Sequence, residues 1–478
     1  MQEVILSAGI DIGTSTTQLI FSKLTIENLA SSYTVPRISI VNKEIIYRSE
    51  IYFTPLLSAT EIDSEGVRRI VTEEYRRAGV TPAEIKTGAV IITGETARKQ
   101  NANQVLETLS GMAGDFVVAT AGPDLESVLS ARGAGADRLS KEQGLTVANL
   151  DVGGGTSNIA VYRKGQLLGV TCLDVGGRLI KIDREQRKIT YIYSKIARLA
   201  AENGISIAVG DPADTDKLRR ICRLMADLLA QSLHKAPHNS FYPSIFTNDG
   251  KGLTETIDVQ AVTFSGGVAD YVYHESDPDL FRYGDVGILL GEEIRNSQLL
   301  SSATLLQAAE TIRATVVGAG THTTEISGST ISYALDELPI KNIPILKVGE
   351  DEEADWERFK QSIRGQLPLY SPEGKIDQLA IAFSGREAHT FDSIQKLAQA
   401  IVDATQEIIA GSHPLILILE SDIAKALGNA INVLLQRRKK VICIDGIRTL
   451  SGDYIDIGKP IAEGKVVPVV VKTLIFNT

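Results

Sequence analysis

The sequence predicts an α/β protein in which two domains of the same plan precede a third α/β domain. Short apolar strands alternate with helical segments from the amino terminus onward. A strand that carries an aspartate and runs into a glycine- and threonine-rich turn occurs twice, at residues 9–23 and 149–162. The composition then changes after about residue 330. A chain of 478 residues is too long for one hydrophobic core, so several domains are expected.

The first domain is expected to span residues 1–145. EVILSAGIDIG and QLIFSKLTI are typical of a hairpin of two buried strands joined by a hydroxyl-rich turn. SEGVRRIVTEEYRRAG is predicted to be a helix ending at Gly79, because its apolar residues have helical spacing: Val67, Ile70, Val71 and Tyr75. GAVIIT and DFVVATAG are predicted strands, and a helix follows the second through DLESVLSARGAGA.

The second domain is expected to span residues 146–330. It opens with a second hairpin, TVANLDVGGG and SNIAVYRKGQ, and RLIKIDREQRKITYIY predicts a strand pair around a charged turn. The strongest helix signal is DTDKLRRICRLMADLLAQSLH, whose apolar face comprises Leu218, Ile221, Cys222, Met225, Leu228 and Leu229. TIDVQAVTFSGGVAD predicts a strand that ends in a double-glycine turn, and IRATVVGAGTHT predicts a further strand.

The third domain is expected to span residues 331–478. ELPIKNIPILKVGEDEEADWERF holds two prolines and an acidic cluster, which favours a linker leading into a solvated helix. Buried strands separated by helices are predicted at KIDQLAIAFSG, PLILILESD and KKVICIDG, and the chain ends in the apolar strand VVPVVVKTLIF. We expect these strands to form a core rather than a second active site.

Composition excludes several classes of function. A net charge of −10 argues against a nucleic-acid partner, which requires a basic face. No apolar run approaches the roughly 18 residues of a membrane span, and MQEVILSAGIDIG lacks the basic start of a signal peptide. We therefore expect a cytoplasmic protein without a membrane partner. Cys172, Cys222 and Cys443 lack metal or redox spacing, so buried apolar roles are predicted for them.

The two aspartate turns align without a gap at an offset of 140 residues, so that Asp11 to Gln18 matches Asp151 to Asn158. Aspartate, glycine and threonine fall at equivalent places, and both turns end in a hydroxyl followed by an amide. A tight hairpin with a hydrogen-bonded aspartate would account for one such turn. Two matched copies indicate an internal repeat and two domains of one plan.

The residue types predict a nucleotide site. Glycines allow close approach to a ligand, successive N–H groups bind anions, and hydroxyls add neutral donors. We therefore expect phosphate contacts from Gly13, Thr14, Ser15 and Thr16 of the first turn and from Gly153, Gly154, Gly155 and Thr156 of the second. A carboxylate is an acceptor only and suits hydrated magnesium, so Asp11 and Asp151 are the predicted metal-binding and catalytic residues.

A third glycine turn, Ser265, Gly266 and Gly267, follows a buried strand and is predicted to bind adenosine. The sequence contains no P-loop, because each Gly-Lys pair lacks a following Ser or Thr. These three turns, in this order over about 320 residues, resemble the motifs of the actin, sugar-kinase and heat-shock-chaperone ATPase superfamily. That resemblance implies two ribonuclease-H-like domains around a nucleotide cleft, with TVVGAGTHT near the hinge.

A more specific resemblance spans the whole chain. The sequence is similar to the family of ethanolamine ammonia-lyase reactivating factors in AVIITGETARKQNA, VVATAGPDLESV, DVGGGTSNIAVY, CLDVGGRL, TIRATVVGAGTHT, SGSTI and GDYIDIG. This family resemblance implies a chaperone that uses ATP and magnesium to release damaged cobalamin from the lyase, so that intact adenosylcobalamin enters. Weak ATP hydrolysis, ATP and ADP as ligands, the lyase as partner and a bacterial microcompartment location are the further expectations, and a homodimer is left open.

Three alternatives remain at this point. A small-molecule kinase of the same fold needs a general base, for which Glu95, Asp124 and Glu126 are candidates. A filament-forming or scaffold protein of the actin type would show nucleotide-dependent sedimentation. A cobalamin carrier is disfavoured because the D-x-H-x-x-G pattern is absent, and His413 is predicted to lie in a turn before a strand, so no bound cobalamin is expected.

Overall fold

The computed structural model describes the chain in segments, at residues 2–13, 16–28, 38–58, 61–93, 101, 105, 109, 118–120, 123–247, 251–254, 257–274, 278–322, 325–327, 331–370, 378–449, 453–461 and 464–473. Three large β-sheets and one two-stranded ribbon organise these residues. The first sheet contains β1 (Gln2–Ile12), β2 (Thr16–Asn28), β3 (Ile38–Arg48), β4 (Tyr52–Phe53), β5 (Ile85–Ile92) and β6 (Val118–Thr120).

The first sheet has the order β3-β2-β1-β5-β6, with β4 pairing with the start of β2. Strands β1, β2 and β3 are antiparallel neighbours, whereas β5 and β6 run parallel to β1. Helix α1 (Ser64–Ala78) begins where Asp63 accepts a hydrogen bond from the Gly66 amide and ends at Gly79, which has a φ of 69°. The predicted hairpin and helix are confirmed.

The second sheet and the ribbon follow along the chain. Their strands are β7 (Thr146–Val152), β8 (Ser157–Arg163), β9 (Gln166–Leu173), β10 (Ile180–Ile182), β11 (Ile189–Ile192), β12 (Ala261–Ser265) and β13 (Thr304–Leu305). The sheet order is β13-β12-β7-β8-β9, and β10 pairs with β11 as the predicted charged hairpin. The first and second sheets therefore share one plan, a three-stranded antiparallel meander extended by two parallel strands. This duplication confirms the predicted fold class of two domains on one plan.

Eight further helices accompany these two sheets among the described residues. They are α2 (Pro123–Gly133), α3 (Ala136–Gln143), α4 (Ser194–Glu202), α5 (Thr215–Ser232), α6 (Ala269–Tyr273), α7 (Gly287–Arg295), α8 (Gln298–Ser302) and α9 (Ala314–His322). Helix α5 confirms the strongest helix prediction, and its apolar face is buried. Helix α9 shows that the strand predicted for IRATVVGAGTHT is wrong. The segment is apolar on all sides, so it has no helical periodicity to read.

Helices α2 and α9 cross between the two sheets. Helix α2 packs on β7, β8 and β9, whereas α9 packs on β1, β2 and β5, and the two helices pack against each other. The crossing is so close that a Cβ atom on Gly133 would collide with the Ala314 carbonyl, and one on Gly318 with the Leu129 carbonyl. The division of the chain at residues 145 and 330 stays a prediction, because these two helices link both sheets.

The third sheet combines parallel and antiparallel strands: β14 (Glu325–Ile326), β15 (Ile340–Lys347), β16 (Ala380–Phe383), β17 (Leu415–Leu419), β18 (Val441–Ile444), β19 (Asp453–Ile457) and β20 (Pro468–Thr473). Its order is β14-β20-β19-β15-β16-β17-β18, with β15 to β18 parallel. The helices of this region are α10 (Glu350–Glu353), α11 (Trp356–Gln366), α12 (Phe391–Ala404), α13 (Gln406–Ala410) and α14 (Ala424–Leu434). The predicted C-terminal strands are confirmed, and His413 lies just before β17.

The linker predicted in this region is wrong. Its apolar residues form β15, where Ile343 and Ile345 are fully buried despite the prolines around them. Within the acidic cluster, Glu353 is buried and accepts hydrogen bonds from the Ser384 amide and hydroxyl and from the Gly385 amide. Burial of alternate apolar side chains outweighs the local signals of proline and charge.

The three cysteines are free and buried, as predicted. Within the described parts of the chain, no helix is both long enough and apolar enough to cross a bilayer.

We predict that Gly318→Ala lowers the free energy of unfolding by about 1–3 kcal/mol, because the added methyl group must push α2 and α9 apart. Urea unfolding followed by circular dichroism measures the change. Gly365→Ala in α11 is the matched control, since no atom lies within 4 Å of the position that its Cβ atom would take. The control should be neutral or stabilising by up to about 1 kcal/mol. Equal behaviour of the two variants would contradict the close crossing.

Candidate functional site

A cleft of about 420 Å³ lies where the two aspartate turns meet. The predicted site residues that line it are Asp11, Gly13, Thr16, Asp151, Gly153, Gly154, Gly155, Thr156, Gly266 and Gly267. Ser265 lies behind this surface and contacts Asp151 through a hydrogen bond. Thr14 and Ser15 lie outside the described residues. The structure thus brings turns that are about 115 to 255 residues apart in sequence to one place.

The two turns have the same backbone geometry. In the first, the Gly13 amide donates to the Thr16 carbonyl at 2.8 Å, and in the second the Gly153 amide donates to the Thr156 carbonyl at 3.0 Å. Asp11 pairs across its hairpin with Gln18, as Asp151 pairs with Asn158. The alignment made from sequence therefore corresponds to equivalent positions in space.

Asp11 is buried at the end of β1, where the Thr93 hydroxyl donates to its Oδ1 at 3.0 Å. Burial raises the pKa of Asp11 to about 7, because the charged form is poorly solvated there. The Thr93 hydrogen bond lowers this pKa, and the nearby charge of Asp151 raises it further. The charged form of Asp11 is therefore unfavourable here, and a bound cation would stabilise it.

Asp151 ends a chain of hydrogen bonds that crosses from β7 to β12. Thr263 Oγ1 donates to Asn149 Oδ1 at 2.9 Å, and Asn149 Nδ2 donates to Ser265 Oγ at 2.9 Å. Ser265 Oγ in turn donates to Asp151 Oδ1 at 2.6 Å. Burial raises the pKa of Asp151 to about 6, while hydrogen bonds from Ser265 and Asn158 lower it. The chain fixes the orientation of this carboxylate.

The donor set fits hydrated magnesium with a phosphate ligand. Among the described residues no group of three or more His, Cys, Asp or Glu side chains is placed to hold a metal alone. Mg²⁺ commonly keeps several waters and binds through one or two carboxylates together with substrate phosphates. Asp11 and Asp151 provide such a pair, and both face one cleft.

The third turn separates two glycine roles that the sequence does not distinguish. Gly266 has a φ of 85°, and a Cβ atom there would lie 2.5 Å from the Val152 carbonyl oxygen. Gly266 is therefore required by the backbone itself. Gly267 has no atom within 4 Å of a Cβ position, so it leaves open space at the cleft surface.

The predictions did not include several side chains that support the site. Thr93, Asn149 and Thr263 all belong to the hydrogen bonds that hold the two aspartates. The sequence contains a signal for Asn149 and Thr263. Asn149 lies two positions before Asp151 in one strand, and Thr263 lies two positions before Ser265 in another. Residues at that spacing share one face of a strand.

The three candidate general bases of a small-molecule kinase differ in their position relative to the cleft. Glu126, on α2, lines the cleft. Asp124 is not among the described lining residues, and burial raises its pKa. Glu95 lies outside the described residues.

Comparison with known proteins gives a match along the whole chain. The family model described as ethanolamine utilisation protein EutA matches residues 3–477. The ethanolamine ammonia-lyase reactivase EutA of Escherichia coli (strain K12) is 35% identical over 474 residues, covering 99% of this chain and 98% of that protein. The protein of the same description from Salmonella typhimurium (strain LT2) is 35% identical over 473 residues, with the same coverage.

Among solved structures, a Ppx/GppA family member from Aquifex aeolicus is similar with a TM-score of 0.39 and 14% identity. The similarity covers 66% of this chain and 97% of that one. The family match and the two relatives confirm the whole-chain resemblance read from the sequence. The chain belongs to the EutA family of ethanolamine utilisation proteins.

Proposed function

We propose that this chain is a reactivating factor for ethanolamine ammonia-lyase and that it binds Mg-ATP in the cleft between its two aspartate turns. The observation that carries the proposal is the pair of matched turns, with Asp11 and Asp151 buried and facing the same cleft. The names of the two bacterial relatives support the choice of the lyase as partner. The cytoplasm is the proposed location, with residence in a bacterial microcompartment as part of the same proposal.

Each part of the cleft has a proposed role. The backbone N–H groups and hydroxyls of the two turns, including Thr14 and Ser15, bind the phosphates. Asp11 and Asp151 hold the hydrated magnesium ion, which neutralises phosphate charge when it is bound. Ser265, Gly266 and Gly267 form the adenosine side of the cleft, where the open space at Gly267 admits the ligand.

Nucleotide state would act on the lyase through cleft closure. The two phosphate-binding turns belong to different sheets, so ATP and ADP should favour different separations of those sheets. A ligand shifts an equilibrium only by binding one state better than the other. We therefore propose that the chain binds the lyase with different affinities in the two nucleotide states. Damaged cobalamin leaves in the nucleotide state that has the lower affinity for the lyase.

One experiment tests this function directly. Inactivated lyase is incubated with the protein, ATP, magnesium and intact adenosylcobalamin, and deamination of ethanolamine is followed. Recovery of activity is expected only with all components, and pull-down of the lyase should differ between ATP, ADP and no nucleotide. No recovery under any condition would reject the reactivating role, and equal pull-down in all three would reject the nucleotide switch.

A small-molecule kinase of the same fold is the second candidate, because Glu126 lines the cleft and a kinase needs a general base there. The products distinguish the two functions. A kinase releases ADP while the phosphoryl group appears on a small molecule, whereas the proposed reactivase releases inorganic phosphate.

We predict opposite effects of Asp11→Asn on activity and on stability. Magnesium-dependent ATP turnover should fall by about two orders of magnitude, since one charged contact to the magnesium–phosphate site is lost. Without ligand, however, the variant should be more stable than the parent protein by about 1 kcal/mol or more at pH 8, because a buried charge is removed. Phosphate release and thermal unfolding measure the two effects.

The pH dependence gives the control for this prediction. The pKa of Asp11 is raised from 3.8 to about 7 in the folded chain, so its stabilising contribution is complete below pH 4 and is lost as the pH rises through 7. The parent protein should therefore lose more stability than the variant between pH 4 and pH 8, and magnesium nucleotide should reverse the difference. Asp258→Asn, at an exposed ion pair with Lys235, should change neither property. A variant that is less stable at pH 8 would indicate a purely structural aspartate.

We predict that Gly267→Val weakens ATP binding at least tenfold with little change in melting temperature, because the new side chain enters space reserved for ligand. Gly266→Ala is the matched contrast. It should lower the melting temperature, since it combines an unfavourable φ with a clash at Val152. Calorimetry with Mg-ATP and thermal unfolding separate the two outcomes, and unchanged ATP affinity in Gly267→Val would place adenosine elsewhere.

A further inference from the structure

Arg178 is distinguished by its charge in the cleft. Among the described residues that line the cleft, Arg178 is the single cationic side chain. The carboxylates in the same lining are Asp11, Glu126, Asp151 and Asp270. A nucleoside triphosphate brings several negative charges into this acidic surface. Even with magnesium bound, a terminal phosphate would be stabilised by a guanidinium group, whose planar fork matches phosphate oxygens.

The backbone of Arg178 is attached directly to the second aspartate turn. Its amide donates to the Gly154 carbonyl at 2.7 Å, and the Gly177 amide donates to the Gly153 carbonyl at 3.0 Å. A Cβ atom on Gly176 would lie 2.5 Å from the Gly154 carbonyl oxygen, so this segment touches the turn along its length. Arg178 therefore moves with the proposed phosphate-binding backbone.

Asp285 orients the Arg178 side chain. Nε of Arg178 donates to Asp285 Oδ2 at 3.3 Å, while Asp285 Oδ1 accepts from the Gly287 amide at 2.9 Å. Asp285 itself is buried. This hydrogen bond engages only Nε, and within the described parts of the chain the two terminal nitrogens of Arg178 donate no hydrogen bond.

Across the cleft, the Arg178 guanidinium lies over the ring of Phe53, with Cζ 5.6 Å from the ring centroid. Phe53 belongs to β4 and pairs with Thr16 of the first turn. Phe53 is 73% exposed, so its ring is not part of a hydrophobic core. The contact thus joins a residue anchored to the second turn with a residue anchored to the first.

We propose that Arg178 senses the terminal phosphate of the nucleotide and exchanges its contact with Phe53 for that phosphate when ATP binds. With ADP or without nucleotide, Arg178 lies over Phe53 and links the two turns directly. With ATP, its terminal nitrogens bind the third phosphate, and the turns are linked through the nucleotide instead. This inference rests on the proposed function and specifies the residue through which ATP and ADP are distinguished.

Calorimetry with Mg-ATP and Mg-ADP tests the proposal on the full-length protein. Arg178→Gln should weaken ATP binding by about tenfold to a hundredfold, the range for a lost hydrogen bond to a charged group. ADP binding should change less than about threefold, because the lost partner is the third phosphate. Arg178→Lys should retain part of the ATP preference, since it keeps the charge but loses the fork.

Two further variants test the positioning and the exchange. Asp285→Asn keeps an acceptor for the Gly287 amide but weakens the hold on Arg178, so the ratio of ATP to ADP affinity should fall while the melting temperature changes little. Phe53→Leu removes the competing ring and should strengthen ATP binding by about two- to fivefold, the scale of one exposed cation–π contact.

Arg187→Gln is the matched control. Arg187 also pairs with an aspartate, Asp279, at 2.9 Å and lies over a phenylalanine ring, Phe281, at 5.6 Å, but it is not among the residues that line the cleft. This variant should bind ATP and ADP as the parent protein does.

The outcomes separate this inference from the proposed function. If the parent protein does not bind Mg-ATP, both are overturned. If it binds Mg-ATP but Arg178→Gln weakens ATP and ADP equally, or neither, only the sensing role is overturned. If Arg178→Gln acts as expected but Phe53→Leu leaves ATP affinity unchanged or weaker, the exchange with Phe53 is wrong.

Discussion

The rest of the cleft depends on one constraint: Asp11 and Asp151 are both buried, and both face the same cleft. Two carboxylates facing one solvent-poor space repel each other, and both have pKa values raised by burial. The surrounding fold must therefore hold an unfavourable arrangement in place. It does so with Thr93 beside one aspartate and with the hydrogen-bond chain through Asn149 and Ser265 beside the other. Such stored repulsion is typical of a site completed by a cation.

The helix crossing brings these two carboxylates together. Helix α2 packs on the second sheet and α9 on the first, and Gly133 and Gly318 allow their backbones to touch. Close packing of small residues makes this contact stiff. The contact between Arg178 and Phe53 also joins the two turns.

The third sheet shows how tertiary burial overrides local signals. Two prolines and an acidic run favoured a linker before α11, yet Ile343 and Ile345 place that segment at the centre of a seven-stranded sheet. The buried Glu353 caps the turn after β16 through three hydrogen bonds. Neither the neighbours in the sheet nor these partners are close in sequence, so no local pattern contained them.

The amino-acid sequence alone determined the duplicated plan, the two aspartate turns, the third glycine turn and most strands and helices. These features are local, because hydrophobic periodicity and glycine turns are written in consecutive residues. Tertiary structure alone decided that Ala314–His322 form a helix, in which Ala314, Val316, Val317 and Ala319 are all buried. It also decided that Gly266 shapes the backbone whereas Gly267 opens the cleft, and that Arg178 meets Phe53. Each of these depends on atoms brought together from distant parts of the chain, which a linear pattern does not encode.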